Sequence, residues 1–243
     1  MPLVRRFIPR PDLLGVCLLV VLLPVVAGSM ACGRESAPPQ QGSPPTTEAP
    51  ASRTEDQRPK IAMLGDSLTA GLGLLDTQSY PALLQQKIDA DGFDFEVVNA
   101  GVSGDTSAGG LRRLDWVLQE DVRVLLVALG ANDGLRGLSV AELKTNLSQI
   151  IETARERHVL VILAGMEAPP NYGAEYAASF RRTYREVALQ YRVPFIPFLL
   201  DKVAGEASLN QADGIHPNPA GARIVADTVW SVLKPLLDQL STS

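Results

Sequence analysis

The chain has few of the residues that form disulfides or hold metals. Its 243 residues include only two cysteines and two histidines, and both cysteines, Cys17 and Cys32, lie near the amino terminus. The rest of the chain therefore has no disulfide, no thiol nucleophile and no cysteine metal site. A histidine-rich metal centre is also excluded, and a catalytic imidazole must come from His158 or His216. We predict no metal site.

The chain also lacks a strong charge of either sign. Its net charge is −5, which argues against a nucleic-acid partner because such surfaces are normally basic. Aromatic residues make up only 5% of the chain, whereas hydrophobic residues make up 46%, as in an ordinary globular core. The length suits one α/β domain with additional segments. The sequence does not predict an oligomeric state.

The first 31 residues have the layout of a bacterial secretion signal. Three arginines within the first ten residues precede an apolar run at 13–27, and small residues follow. Ser29-Met30-Ala31-Cys32 resembles the lipobox of bacterial lipoproteins, which implies that Cys32 is lipidated and becomes the first mature residue. Residues 1–31 are then a signal peptide, and the protein is lipid-anchored in the cell envelope, on the periplasmic or extracytoplasmic side.

Two other interpretations of this segment stay open. One is ordinary cleavage after Ala31 with secretion, and the other is retention as an amino-terminal membrane anchor. A retained spanning helix is disfavoured because Pro24 and Gly28 interrupt a stretch that is already short for a membrane. The lipoprotein is favoured because a lone cysteine directly after the apolar run otherwise lacks a purpose.

Residues 32–58 are predicted to be a disordered tether. The segment is rich in proline and serine and has no apolar period, so it cannot bury enough surface to offset the entropy of ordering. Its prolines make it extended and semi-stiff. The folded domain is therefore expected at 59–243.

Apolar runs and helical periods alternate about five times along this domain. Such alternation predicts an α/β fold, with a parallel sheet and helices on both of its faces. The predicted strands lie at 61–64, 93–99, 122–129, 159–164 and 193–197. The predicted helices run from Ser79 to Gly92, from the 100–106 turn to Leu118, from Ser139 to about Arg157, from 172 to 191, and from Asn218 onward.

Ser67 directly follows the first strand, where open α/β sheets bind ligands. A serine hydroxyl needs an adjacent base, and that base needs a third group to hold its tautomer. His216 can supply the imidazole, and Asp213, three residues earlier, can reach the ring across one tight turn. Each of these residues also has a structural alternative as an ordinary turn or helix-start residue.

An acyl-transfer site also needs donors for the oxyanion. The candidates are the backbone N–H groups of Ser67 and Gly104 and the side-chain amide of Asn132. Taken alone, Gly104 suits a turn before a helix that Asp105 caps, and Asn132 suits a strand-to-helix turn. His158 is interpreted as a structural residue at a helix end. Asp66, Glu167 and Tyr172 are candidate substrate-binding residues, with a turn or loop role as the alternative.

The four segments together are more specific than any one of them. Gly-Asp-Ser-Leu-Thr-Ala-Gly, Ser-Gly-Asp-Thr-Ser, Gly-Ala-Asn-Asp-Gly-Leu-Arg-Gly and Asp-Gly-Ile-His-Pro occur in this order. In these motifs the chain resembles the SGNH, or GDSL, hydrolase family, and within it the TesA-like branch of thioesterases, lysophospholipases and arylesterases. The resemblance covers Lys60 to about Leu240. It is not the α/β-hydrolase elbow, since Thr69 stands where that motif needs its second glycine.

The resemblance implies a flavodoxin-like three-layer α/β/α sandwich with a mostly parallel five-stranded sheet. It also implies catalysis without a cofactor, in which Ser67 is the nucleophile, His216 the base and Asp213 its orienting group. Ser67, Gly104 and Asn132 then form the oxyanion hole. The expected substrates are small esters, thioesters or lysolipids. Two alternatives stay open: an envelope polysaccharide or peptidoglycan O-acetylesterase, and a lipid-anchored binding module that has lost turnover.

Overall fold

The computed structural model describes residues 58–119 and 121–242. The predicted signal peptide at 1–31, the lipidation of Cys32 and nearly all of the tether at 32–58 lie outside the described residues. None of the helices in the described ranges is both long and apolar enough to cross a membrane.

Five parallel strands form one sheet in the order β2-β1-β3-β4-β5. After β1 the chain forms β2 on one side of it, and it then crosses back to form β3, β4 and β5 on the other side. The carboxyl ends of β1 and its neighbours thus border a crevice at the point where the order reverses. The strands are β1 Lys60–Gly65, β2 Glu96–Gly101, β3 Val122–Ala128, β4 Leu160–Ala164 and β5 Phe195–Ile196.

Eight α-helices in the described ranges flank the sheet in two groups. Helix α2 packs on α8, whereas α6 packs on both α3 and α7. This arrangement confirms the predicted three-layer fold with a five-stranded parallel sheet. The helices are α1 Ser67–Ala70, α2 Tyr80–Ala90, α3 Ser107–Arg112, α4 Leu114–Val117, α5 Ala131–Leu135, α6 Val140–Glu156, α7 Ala174–Tyr191 and α8 Pro219–Ser241. Short 3₁₀ turns occupy Asp76–Gln78 and Pro170–Tyr172.

The core lies on both faces of the central strands. The residues of β1 from Ile61 to Leu64 and those of β3 from Val124 to Ala128 are buried. Their near-continuous apolar runs are typical of parallel strands that are covered on both sides. Each fully buried leucine or isoleucine stabilises the fold by about 1.5–3 kcal/mol. These strands therefore hold the loops at their carboxyl ends in defined positions.

Three predicted helix starts occur where the sequence signals place them. The side chains of Ser79, Ser139 and Asn218 each accept a hydrogen bond from a backbone N–H in the first turn of α2, α6 and α8. Such caps satisfy N–H groups that have no partner inside the helix.

Two predicted helices differ from the structure. The helix expected to reach Leu118 is divided into α3 and α4 at Arg113, whose guanidinium binds the Asp105 carboxylate at 2.7 Å and the Gly65 carbonyl at 2.9 Å. These two contacts hold Arg113 where the chain leaves α3. The helix expected from Tyr172 begins later, at Ala174, because Gly173 has φ +92°.

The predicted second strand is displaced toward the carboxyl side. Strand β2 begins at Glu96 and ends at Gly101, whereas the prediction covered 93–99. Its register is set by β1, since Lys60 pairs with Glu96 and Gly65 with Gly101. A local apolar pattern does not encode this pairing, which is why the boundary was misplaced.

Candidate active site

An open cleft of about 730 Å³ lies at the carboxyl edge of the sheet. Five predicted site residues line it, from five separate segments of the chain. The remaining lining is largely apolar and includes Leu68, Leu72, Leu135, Met166, Phe198, Leu200 and Ile215. The predicted residues are Ser67, Gly104, Asn132, Glu167 and His216.

Ser67 is the first residue of α1, directly after a sharp turn out of β1. A side chain at Gly65 would overlap that of Thr69, and one at Gly101 would overlap the backbone of Ala70. Glycine at both positions therefore allows α1 to lie close against the strand ends. The backbone N–H of Ser67 has no acceptor inside its own helix because helices leave their first N–H groups unpaired.

His216 lies beside Ser67 in the loop that precedes α8. The Ser67 Oγ is 2.9 Å from the His216 Nε2, and the His216 Nδ1 is 2.7 Å from Oδ2 of Asp213. The other oxygen of Asp213 accepts hydrogen bonds from the backbone N–H groups of Ile215 and His216, at 2.9 and 3.0 Å. The tight turn predicted between Asp213 and His216 is therefore present, and the same carboxylate closes it.

These hydrogen bonds set the charge of Asp213. The backbone N–H groups of His216 and Ile215, followed by the His216 side chain, lower the pKa of the Asp213 carboxyl to about 2. Asp213 is therefore ionised at neutral pH and accepts a hydrogen bond from the imidazole. This contact favours the tautomer with hydrogen on Nδ1 and leaves Nε2 as an acceptor for the Ser67 hydroxyl.

Asp66 corrects one prediction. It was a candidate for substrate binding, but its side chain is fully buried and it does not line the cleft. Its carboxylate instead caps α1 by accepting from the Leu68 N–H at 3.0 Å, and it accepts from the Asn132 amide at 3.3 Å. Burial raises the pKa of Asp66 to about 6, against the opposing effects of the Leu68 N–H, the His216 charge and the Asn132 amide.

The two remaining oxyanion candidates, Gly104 and Asn132, line the same cleft as Ser67 and His216. Gly104 has φ +83°, and its carbonyl accepts a hydrogen bond from Arg136 at 2.9 Å. Asn132 lies in the first turn of α5 and donates its amide to the Asp105 carbonyl at 2.9 Å, besides its contact with Asp66. The sequence did not anticipate these two acceptors, which fix the orientation of the amide.

The helix that follows the Gly104 turn begins with a different capping residue from the Asp105 considered in the sequence analysis. Thr106, and not Asp105, caps α3 by accepting from the Gly109 N–H at 3.2 Å. Asp105 is instead paired with Arg113 at 2.7 Å. The Asp105 side chain is thus bound to Arg113 directly after α3, while its carbonyl is bound to Asn132, so one residue connects the two proposed oxyanion segments.

A buried network behind the site was missed by the sequence analysis. The Asp133 carboxylate accepts from the N–H of Ser107 at 2.8 Å and from its hydroxyl at 2.6 Å. Asn146 of α6 donates to the same hydroxyl at 2.9 Å. This network ties the start of α5, where Asn132 lies, to the start of α3, which follows the Gly104 turn. The sequence feature that could have indicated this network is Asp133, the acidic residue beside Asn132 in the Gly-Ala-Asn-Asp motif.

Of the remaining residues considered, Glu167, Tyr172 and His158, only Glu167 lines the cleft. Glu167 lines the cleft and forms an ion pair with Arg181 at 3.1 Å. Tyr172 is not among the cleft-lining residues; its hydroxyl donates to the carbonyl of Leu135, which is one of them, at 3.2 Å. His158 lies between α6 and β4, at the opposite end of the sheet. Within the described ranges, no group of three or more histidines, cysteines or acidic residues is placed to hold a metal ion.

A parallel α/β/α sandwich with this set of motifs at the carboxyl edge of its sheet is the architecture of the SGNH hydrolases. The GDSL-like lipase/acylhydrolase family matches residues 63–224. The chain belongs to this family, and its class is that of the carboxylic ester hydrolases.

Two curated relatives and one solved structure are similar to this chain. Esterase TesA of Pseudomonas aeruginosa is 46% identical over 178 residues, which cover 73% of this chain and 89% of the relative. Thioesterase 1/protease 1/lysophospholipase L1 of Escherichia coli K12 is 37% identical over 179 residues, with 73% and 85% covered. The crystal structure of TesA matches with a TM-score of 0.70 and 44% identity, and covers 73% of this chain and 99% of that one.

Proposed function

We propose that the chain hydrolyses carboxylic esters through an acyl-enzyme on Ser67, with His216 as general base and Asp213 as its orienting group. The observation that carries this proposal is the continuous hydrogen-bond chain from the Ser67 Oγ through His216 to Asp213, at 2.9 and 2.7 Å. A serine hydroxyl is a weak nucleophile unless a neighbouring base takes its proton.

The reaction has two steps that use the same groups. Ser67 attacks the ester carbonyl while His216 accepts the hydroxyl proton, and His216 then gives this proton to the departing alcohol or thiol. Water attacks the acyl-enzyme in the second step, with His216 again as base, and releases the acid. Asp213 remains ionised throughout and stabilises the imidazolium that forms in each step.

The oxyanion rests on the N–H groups of Ser67 and Gly104 and on the Asn132 amide. Gly104 offers its N–H from a turn in which φ is +83°. The Asn132 amide keeps its contact with the Asp105 carbonyl at 2.9 Å, and its other N–H, which makes the longer contact with Asp66 at 3.3 Å, is the one available to the developing charge. Preorganised donors of this kind each contribute about 2.7–4 kcal/mol to transition-state stabilisation.

The acyl chain of the substrate occupies the apolar part of the cleft. Leucine, methionine and phenylalanine side chains line it, and a volume of about 730 Å³ accommodates an acyl group longer than acetyl. The natural activity is therefore of the arylesterase, lysophospholipase or thioesterase type, the last two of which occur in the name of the Escherichia coli relative.

The proposal is tested with a series of aryl esters from acetyl to palmitoyl, hydrolysed by the chain without residues 1–32 and by its Ser67→Ala variant. Turnover that falls by about three orders of magnitude or more in the variant supports the proposal, and the optimal chain length separates a short-chain arylesterase from a lysophospholipase. Equal rates for the two proteins would contradict it. Turnover only on acetylated sugars would select the O-acetylesterase, and no turnover at all would select the binding module.

The location in the cell is a second part of the proposal. A lipid on Cys32 holds the domain at the cell envelope through the tether at 32–58, as the signal-like segment at 1–31 indicates. The full-length chain should sediment with membranes, and Cys32→Ser should release it. A Cys32→Ser protein that still sediments with membranes would instead favour a retained amino-terminal anchor.

A further inference from the structure

One buried carboxylate contacts the segments of two proposed oxyanion donors. Asp66 directly precedes Ser67, and its side chain is fully buried. One of its oxygens accepts from the Leu68 N–H at 3.0 Å, and the other accepts from the side-chain nitrogen of Asn132 at 3.3 Å. The same carboxylate therefore joins the first turn of α1, which carries Ser67, to the first turn of α5, which carries Asn132.

The Asn132 amide has two orientations, which exchange the places of its oxygen and its nitrogen. Only the nitrogen donates hydrogen bonds, so only one orientation can serve an oxyanion. Two acceptors select that orientation: the Asp105 carbonyl at 2.9 Å and the Asp66 carboxylate at 3.3 Å. In the exchanged orientation the amide oxygen would face both of these oxygens with no hydrogen between them.

The charge of Asp66 suits it to accept from this amide. Burial raises the pKa of the Asp66 carboxyl to about 6, and the Asn132 amide is among the groups that oppose this rise. Asp66 is therefore mainly ionised at pH 7, and an ionised acceptor forms a stronger hydrogen bond than a neutral one. The contact is nevertheless longer than the one with Asp105, so the second N–H of Asn132 is the easier of the two to transfer to another acceptor.

We propose that Asp66 is a positioning residue that keeps the Asn132 amide in the orientation that donates to the oxyanion. The inference rests on the proposed esterase function and adds a residue that acts through Asn132 without touching the substrate, since Asp66 does not line the cleft. Before the reaction the carboxylate accepts the second N–H of Asn132, and the oxyanion accepts it as the ester carbonyl is attacked. The side chain of Asn132 then needs no rotation during the reaction, as in other preorganised sites.

The capping of α1 requires only one of the two oxygens of Asp66. Asparagine caps helices as well as aspartate does, so the amide oxygen of Asp66→Asn can keep the hydrogen bond from the Leu68 N–H. Its NH2 group then faces the nitrogen of Asn132, and two donors meet where a donor and an acceptor met before. Asp66→Asn therefore keeps the cap of α1 and removes the acceptor for Asn132.

A double-mutant cycle of Asp66→Asn and Asn132→Ala, measured on an aryl ester, tests the inference. Each kcat is taken where it no longer changes with pH, so that a shift in the pKa of His216 does not enter the comparison. Asn132→Ala should lower kcat by about 10²–10³-fold because an oxyanion donor is lost. Asp66→Asn should lower kcat by roughly 10- to 100-fold and leave KM within about threefold, since the amide acts in the transition state. The exposed control, Asp238→Asn, should retain both constants.

The double variant decides how Asp66 acts. Its kcat should lie within about threefold of that of Asn132→Ala, because Asp66 has nothing left to position once the amide is removed. If Asp66→Asn lowers kcat by the same factor with and without the Asn132 amide, Asp66 acts through α1 or through His216, and the inference is overturned. An unchanged kcat in Asp66→Asn, or a rise in KM alone, also overturns it.

A second variant covers the possibility that Asp66→Asn does not fold. Serine is also a capping residue, but it offers one oxygen in place of two, so Asp66→Ser should keep the cap of α1 and give the same cycle. Melting temperatures show which of the variants are folded. A wild-type kcat in Asn132→Ala would contradict the oxyanion role of Asn132 in the proposed function, and the inference about Asp66 would be overturned with it.

Discussion

The hydroxyl oxygen of Ser67 lies 2.9 Å from the Nε2 of His216, although 149 positions separate the two residues in the sequence. Ser67 begins α1 at the end of the central strand β1, and His216 lies in the loop before α8. Their contact thus depends on the turn after β1 and on the short turn that Asp213 closes.

Asp213→Asn should lower kcat by about 10²–10⁴-fold without unfolding the protein. The amide nitrogen cannot accept the Nδ1–H of His216, so the productive tautomer loses its stabilising partner. The control is Asp238→Asn on α8, whose carboxylate forms only an exposed pair with Lys234 at 3.3 Å. Steady-state kinetics on an aryl ester check this, and a variant within threefold of the wild type would show that Asp213 does not orient the base.

The acid limb of the pH profile should not come from Asp213. Its hydrogen bonds lower the pKa of its carboxyl to about 2, so it remains ionised as the pH falls from 7 to 4. Any decrease in activity over this interval must therefore come from a group other than Asp213. Profiles of kcat/KM from pH 4 to 9 for the wild type and for Asp213→Asn test this, and an acid limb that is present in the wild type but absent from the variant would contradict it.

Asp66 should make the wild type less stable as the pH rises from 4 to 7. Burial raises its pKa from 3.8 to about 6 in the folded state, so between these values the unfolded chain loses a proton that the folded chain keeps. The contribution of Asp66 to the free energy of unfolding is therefore complete below pH 3.8, and it is lost as the pH rises through about 6. This difference in the pKa of Asp66 corresponds to a change of about 3 kcal/mol in the free energy of unfolding.

The Asp66→Asn variant provides the measurement, because asparagine does not titrate. The free energy of unfolding of the wild type minus that of Asp66→Asn should fall by up to about 3 kcal/mol between pH 4 and pH 7. Urea denaturation at several pH values gives this difference, with Asp238→Asn as an exposed control. A difference that stays constant with pH would show that Asp66 is not perturbed by its burial.

Gly101→Ala should destabilise the fold and lower activity together. The added methyl group would overlap the backbone of Ala70 and the carbonyl carbon of Thr69, which forces α1 and hence Ser67 away from β2. Overpacking of this kind typically costs about 1–3 kcal/mol. The control is Gly92→Ala, where nothing lies within 4 Å of the new methyl group and only the strain of a positive φ remains. Equal melting temperatures for Gly101→Ala and the wild type would contradict the close packing of α1.

Asp133→Ala should destabilise the protein by about 2–4 kcal/mol because the N–H and hydroxyl of Ser107 lose their buried acceptor. It should also lower kcat by loosening Gly104 and Asn132. A double-mutant cycle with Ser107→Ala measures the coupling between the two side chains, which we expect to be about 1 kcal/mol or more. Additive effects would indicate that Asp133 does not act through Ser107.

The fold could be predicted largely from the sequence because its signals are local. The apolar runs of β1 and β3 and the caps at Ser79, Ser139 and Asn218 depend on neighbouring residues and recur in the structure. The division between α3 and α4 could not be predicted, since it depends on contacts of Arg113 with Asp105 and with the distant Gly65 carbonyl.

In the candidate site, too, contacts between residues close in the sequence were easier to predict than the contacts of Asp66 with distant residues. The contact of Asp213 with His216 follows from their spacing of three residues, and the motifs place Ser67 at a strand end. The burial of Asp66 could not be read from its position in a turn, where aspartate is usually exposed.

The most direct test of the proposed mechanism is covalent labelling with a fluorophosphonate, followed by peptide mass spectrometry. The wild type should gain one adduct, on the peptide that contains Ser67, and lose its esterase activity in proportion to the labelled fraction. His216→Ala should label far more slowly because the hydroxyl has lost its base. An adduct on another residue, or activity that persists after complete labelling of Ser67, would contradict the assignment of Ser67 as the nucleophile.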